Sequence, residues 1–224
     1  MRTILFLVML KFSIVSYCQV PVNFDGFKQD GKVKAQSKGS LLTITWPAGD
    51  TKSGRIIINT KRGQPLFESI ELSNNGNYIQ ISSALDPVFI LTTGKRDLVS
   101  QNGWNIFFDS TNRGPHKQFL ATLDKRSASV FTSGSRTIIK ITEVSAGSFS
   151  GDLEITLYNG SPLFNVAAVV STKQDSTAIL YDAGLVNKST SWNDIAWSDT
   201  KDSLQIHATQ ESDTSTNVAV ICFE

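Results

Sequence analysis

The sequence predicts an all-β fold, a large antiparallel β-sandwich with almost no helix, and three observations predict it. Short runs along the chain alternate apolar with polar residues, the two-residue period of a strand with one wet face. Clusters of Gly, Pro, Asn, Asp and Ser separate those runs at regular spacing, as in sandwiches. No stretch carries the 3.6-residue apolar period of an amphipathic helix.

The chain opens on a segment that reads as a processing signal. Arg2 supplies a positive start, Ile4 to Leu10 and Phe12 to Val15 are apolar around Lys11, and Ser16-Tyr17-Cys18 precedes Gln19. This is the layout of a secretory signal peptide cut near Cys18. The apolar stretch is shorter than the roughly 20 residues a membrane span needs. Tyr17 fits lipoprotein cleavage poorly. The expected product is secreted or periplasmic, with residues 1–18 as signal peptide, 19–32 as a lead-in and 33–224 as a single sandwich domain.

About fifteen strands follow by alternation and β-branched content. Leu42, Ile44 and Trp46 alternate with Thr43 and Thr45; Ile56 to Ile58 is β-branched; Leu66, Ile70 and Leu72 share a face. Next come Tyr78 to Ser82, Val88 to Thr92, Trp104 to Phe108, Gln118 to Leu123 and Ala128 to Thr132. Thr137 to Val144 and Gly151 to Tyr158 form a meander in which Phe149, Leu153, Ile155 and Leu157 point one way and Asp152, Glu154 and Thr156 the other. Leu163 to Thr172 contains Phe164 to Val170, polar only at Asn165, which predicts a strand covered on both faces at the centre of a sheet. Thr177 to Tyr181, Ile195 to Trp197, Leu204 to His207 and Val218 to Phe223 complete the set. Turns are expected at Pro47 to Asp50, Ser73 to Asn77, Asp86-Pro87, Gln101 to Gly103, Asn112 to Pro115 and Asn159 to Pro162.

Composition then excludes several kinds of chemistry. The net charge of +1 over 224 residues provides no basic field for nucleic acid. After removal of the signal peptide, 19 basic and 20 acidic residues remain with Cys222 as the sole cysteine, so no disulfide framework stabilises the fold. With only His116 and His207, a zinc site of the His/Cys kind is excluded, as is a Cys-His nucleophile pair. Calcium on oxygen ligands stays open, although Asp199, Asp202 and Asp213 lack EF-hand spacing. No metal site and no cofactor is assigned. Residues 19–140 carry 16 basic and 9 acidic residues, against 3 and 11 in 141–224; without a linker between them, the halves are read as one body.

Few residues are suited to catalysis. Asp152 and Glu154, two apart on one strand, share a face and read as solvated rather than as an acid–base pair, and Asp182 is a candidate only by proximity to the meander. The dipeptides Lys61-Arg62, Lys95-Arg96 and Lys125-Arg126 are expected at soluble hairpin tips, with an acidic glycan as the alternative reading. Binding has better material, since a pyranose packs its C–H face on an aromatic ring while its hydroxyls take polar partners. The preferred locus joins Trp104 to Asp109, Arg113 and His116; the second places Trp192 beside Asp194.

The run Gly147 to Glu154, then Tyr158 to Leu163, then Thr172 to Leu185 resembles the β-sandwich domains near the N-terminus of large secreted carbohydrate-active proteins, which are similar to the galactose-mutarotase-like supersandwich. The resemblance spans residues 33 to 210. It implies a supersandwich fold whose chemistry belongs to a following catalytic domain, whereas this chain stops at Phe223-Glu224. Mutarotase-type catalysis needs a histidine and a carboxylate, roles that His116 and His207 do not take over. Three expectations follow: a secreted non-catalytic module that binds a glycan, a glycan hydrolase using carboxylates, or an adhesive protein or fragment whose C-terminal strand pairs with a partner edge.

Overall fold

The structure is a computed structural model and describes residues 20–29, 32–96, 115–187, 194–198 and 201–208. Those residues are all-β, with no helix among them long and apolar enough to cross a membrane. The strands are β1 (Val22–Gly26), β2 (Lys34–Lys38), β3 (Leu41–Pro47), β4 (Lys52–Asn59), β5 (Phe67–Asn74), β6 (Asn77–Lys95) and β7 (His116–Leu120). They continue with β8 (Thr122–Ser133), β9 (Arg136–Ala146), β10 (Phe149–Tyr158), β11 (Phe164–Ser171), β12 (Thr177–Asn187), β13 (Asp194–Ser198) and β14 (Leu204–Ala208).

Two sheets share one core. The first runs β1-β8-β9-β10-β11; the second runs β12-β6-β5-β4-β3-β2, with β7 also on β6; β13 and β14 form a separate hairpin. Register stacks apolar rows across each sheet. Val130, Ile139, Ile155 and Val166 are successive neighbours in the first. Leu42, Ile58, Phe67 and Leu85 are neighbours in the second. These rows belong to one buried cluster, in which each large aliphatic side chain contributes about 1.5–3 kcal/mol.

Two side chains tie the sheets together at specific points. The Trp46 indole lies over Gly54 on the neighbouring strand, its Nε1–H donates to the Ser161 carbonyl at 2.8 Å, and it meets Phe164 edge-on with centroids 6.4 Å apart. The Gly160 amide donates to Pro47 O at 2.8 Å beside it. Any Cβ at position 54 collides with the indole, so Gly54→Ala is expected to cost about 1–3 kcal/mol, read as a lowered urea midpoint with unchanged m-value. The second tie is Lys125, only 4% exposed, whose ammonium donates to the carbonyls of Asn59 at 2.9 Å, Lys61 at 3.4 Å and Gln64 at 2.7 Å.

Several sequence expectations need correction. Phe164 to Val170 is not central: β11 pairs only with β10 and ends the first sheet, with Val169 52% exposed. Asp86-Pro87 is not a turn, because β6 runs through it with β5 on its first half and β12 on its second. The Asp86 carboxylate instead accepts the Leu66 amide at 2.7 Å. Gln118 to Leu123 is not one strand: the chain leaves the second sheet after Leu120 and enters the first at Thr122. Lys125 occupies no soluble tip but an irregularity between Leu123 and Ser127 in the β8–β9 register. One pairing is parallel, between β8 and β1, which lies in the stretch read as lead-in. The segments 1–18, Trp104 to Phe108 and Val218 to Phe223 lie outside the described residues.

Candidate functional site

The site is a cleft at one end of the sandwich, enclosing about 660 Å³. Four segments remote in sequence converge on it: Thr93 to Lys95 at the end of β6, Pro115 to Lys117 and Phe119 at the start of β7, Gly147-Ser148 between β9 and β10, and Gln174 to Thr177 entering β12.

Register explains the composition of its lining. Leu91 is core, and Phe119 pairs with it across β6 and β7, as Lys117 pairs with Thr93. Alternation therefore puts Thr93, Lys95, Lys117 and Phe119 on the face that carries the core. That face becomes polar where the sheet runs past its apolar rows. Lys95 pairs with Thr177 on the opposite edge, and Lys117 stands diagonal to it.

Phe119 forms the floor. Its half-buried ring packs on Gly147, where a Cβ would come within 2.8 Å of the ring. Gly147 also has φ +59°, a conformation glycine takes without strain in a two-residue hairpin turn. The rim is held by hydrogen bonds within and between the converging segments. Thr172 Oγ1 donates to Ser148 Oγ at 3.2 Å and accepts the Gln174 amide at 3.1 Å. Thr177 Oγ1 donates to Asp175 O at 3.3 Å, and the Arg96 amide donates to Ser176 O at 2.6 Å.

Of the residues singled out in the sequence, His116 lines this cleft. Trp104, Asp109, Arg113 and Trp192 lie outside the described residues. Asp194 opens β13 opposite Ala208, and its side chain is likewise outside them. The carboxylates weighed for hydrolysis do not gather at the cleft. Lys140 Nζ is 2.8 Å from Asp152, and Glu154 is its direct cross-strand neighbour. The hydrogen bond that Lys140 donates to Asp152, opposed by desolvation and helped by the charges of Asp152 and Glu154, holds the Lys140 ammonium above its ordinary pKa. Asp182 is exposed on β12 opposite Ile90. Another ion-pair group, exposed on the first sheet, joins Arg126 to Asp124 and to Glu143, each at 2.7 Å, with Arg62 at 3.3 Å from Asp124. The Arg126 hydrogen bond leads the causes that hold the Asp124 carboxyl below its usual range. Pairs this exposed contribute little to stability.

Phe119, Lys117, Gln174 and Asp175 carry no sequence signal of a site, and Lys95 carries only the alternative reading of its dipeptide as a contact for an acidic glycan. The sequence places Lys95 first at a soluble hairpin tip, and Phe119 inside a strand that the structure divides. Chemically, the described residues of the cleft offer an aromatic face, hydroxyl and amide groups, two ammonium groups and one carboxylate, that of Asp175. Glycoside hydrolysis needs two carboxyl groups flanking one bond. Among the described residues, no group of three or more His, Cys, Asp or Glu is placed to hold a metal ion. Comparison with protein-family models, curated proteins and solved structures finds no match to the chain.

Proposed function

We propose that the protein is a secreted, non-catalytic sandwich module that binds a saccharide in the end cleft. The observation that carries this reading is the half-buried Phe119 ring in a cleft whose other lining residues include Thr93, His116, Ser148, Gln174, Asp175 and Thr177. An apolar platform within a polar rim matches the two chemical faces of a pyranose. The leader read at residues 1–18 supports an extracytoplasmic location, where free glycans are met.

Calorimetric titration with oligosaccharides of different backbones tests the reading. Phe119→Leu keeps an apolar side chain against the core but removes the flat ring, so it is expected to weaken saccharide binding about threefold to tenfold while the far-UV spectrum stays unchanged. Absence of binding across neutral and acidic backbones, or a Phe119→Leu variant that binds as tightly as the parent, overturns it.

A further inference from the structure

We propose that the saccharide taken by this cleft is acidic, carrying a carboxylate or sulfate ester that sits between Lys95 and Lys117. The proposal rests on the binding reading above and adds the ligand's charge. Both lysines are exposed, on the same face of neighbouring strands and diagonal in register, Lys117 opposite Thr93 and Lys95 two residues further along.

Some cations of the two sheets already hold a carboxylate. Arg55 is paired with Glu71, Arg62 and Arg126 with Asp124, and Lys140 with Asp152. Lys95 and Lys117 make no such ion pair among the described residues. Two like charges on diagonal neighbours repel each other. An anion between them removes that repulsion and gains charge-assisted hydrogen bonds. Among the described residues, Asp175, in the turn entering β12, is the only carboxylate lining the cleft, against the two ammonium groups of Lys95 and Lys117.

Spacing relates this pair to the aromatic floor. Phe119 lies two residues beyond Lys117 on the same face, about 7 Å along a strand. A pyranose stacked on Phe119 therefore presents a ring substituent within reach of the Lys117 side chain. A uronate carboxylate and a sulfate ester share the required chemistry, and Asp175 and Gln174 remain for hydroxyl groups.

The test titrates the purified protein with an oligogalacturonate, a sulfated galactan oligosaccharide and a cello-oligosaccharide of equal length, at low and at raised ionic strength. The expected result is binding of at least one acidic ligand about tenfold tighter than the neutral one at low salt, with the difference shrinking as salt rises. The arm that binds identifies the carboxylate or the sulfate as the anion. Lys95→Gln/Lys117→Gln is expected to lower affinity for that acidic ligand about tenfold and leave any affinity for the neutral one unchanged. Equal binding of acidic and neutral ligands, or no loss of acidic-ligand affinity in the double variant, overturns this proposal and leaves the saccharide reading standing. No binding in any arm overturns both.

Discussion

Trp46→Ala is expected to lower the free energy of unfolding by about 3–5 kcal/mol, the range for removal of a large aromatic side chain from a packed interior. The indole is 2% exposed. It contacts Gly54 on its own sheet, and through Phe164 and Ser161 it reaches the strand and turn that close the other sheet. Truncation leaves a cavity at the junction and an unsatisfied Ser161 carbonyl. Trp46→Phe retains most of the apolar volume and is expected to lose less, with about 1 kcal/mol of its loss due to the hydrogen bond. Urea denaturation followed by circular dichroism measures both. Equal losses for the two variants would show that the hydrogen bond, not the packing, holds this corner.

Lys125→Met is expected to cost about 3 kcal/mol, because a thioether of similar length donates nothing to the carbonyls of Asn59, Lys61 and Gln64. Those carbonyls belong to the end of β4 and the β4–β5 connection of one sheet, while Lys125 belongs to β8 of the other. Its backbone adopts φ +48°, a conformation glycine takes more readily. Lys125→Gly therefore separates the two effects. It relieves the backbone and removes the ammonium, and a net loss of stability assigns the main role to the ammonium. A stable Lys125→Gly and an unperturbed Lys125→Met in the same denaturation experiment would contradict that assignment.

Alternation made much of the framework legible. Leu42, Ile44 and Trp46, and the meander residues Ile139, Ile141, Leu153 and Ile155, are buried as their spacing predicts. An apolar run alone does not reveal its place in a sheet. Phe164 to Val170 contains small and β-branched residues, suited equally to a covered strand and to this edge, where Ala167 and Val169 occupy the outer face. Asp86-Pro87 reads as a turn because the pair is common in turns, yet long-range pairing to β12 keeps it extended. Lys125 is hidden for a similar reason, since a lysine beside an arginine reads as solvated until distant carbonyls surround it.

The cleft shows the same limit more strongly. His116 could be selected from sequence because histidine is rare in this chain and lies in a polar context. Phe119, Gly147, Lys95 and Asp175 share no local pattern. Their proximity depends on the β6–β7 register, the β9–β10 turn and the connection from β11 to β12.

Saccharide binding in this cleft is the central claim, and residue-resolved mapping addresses it most directly. With backbone amides assigned in 15N-labelled protein, an acidic oligosaccharide is expected to shift resonances of residues 93–95, 116–119, 147–148 and 174–177 together, saturating with a single dissociation constant. Shifts confined to the exposed edge of β11 or to the outer sheet faces, with those four segments unmoved at saturation, would contradict it.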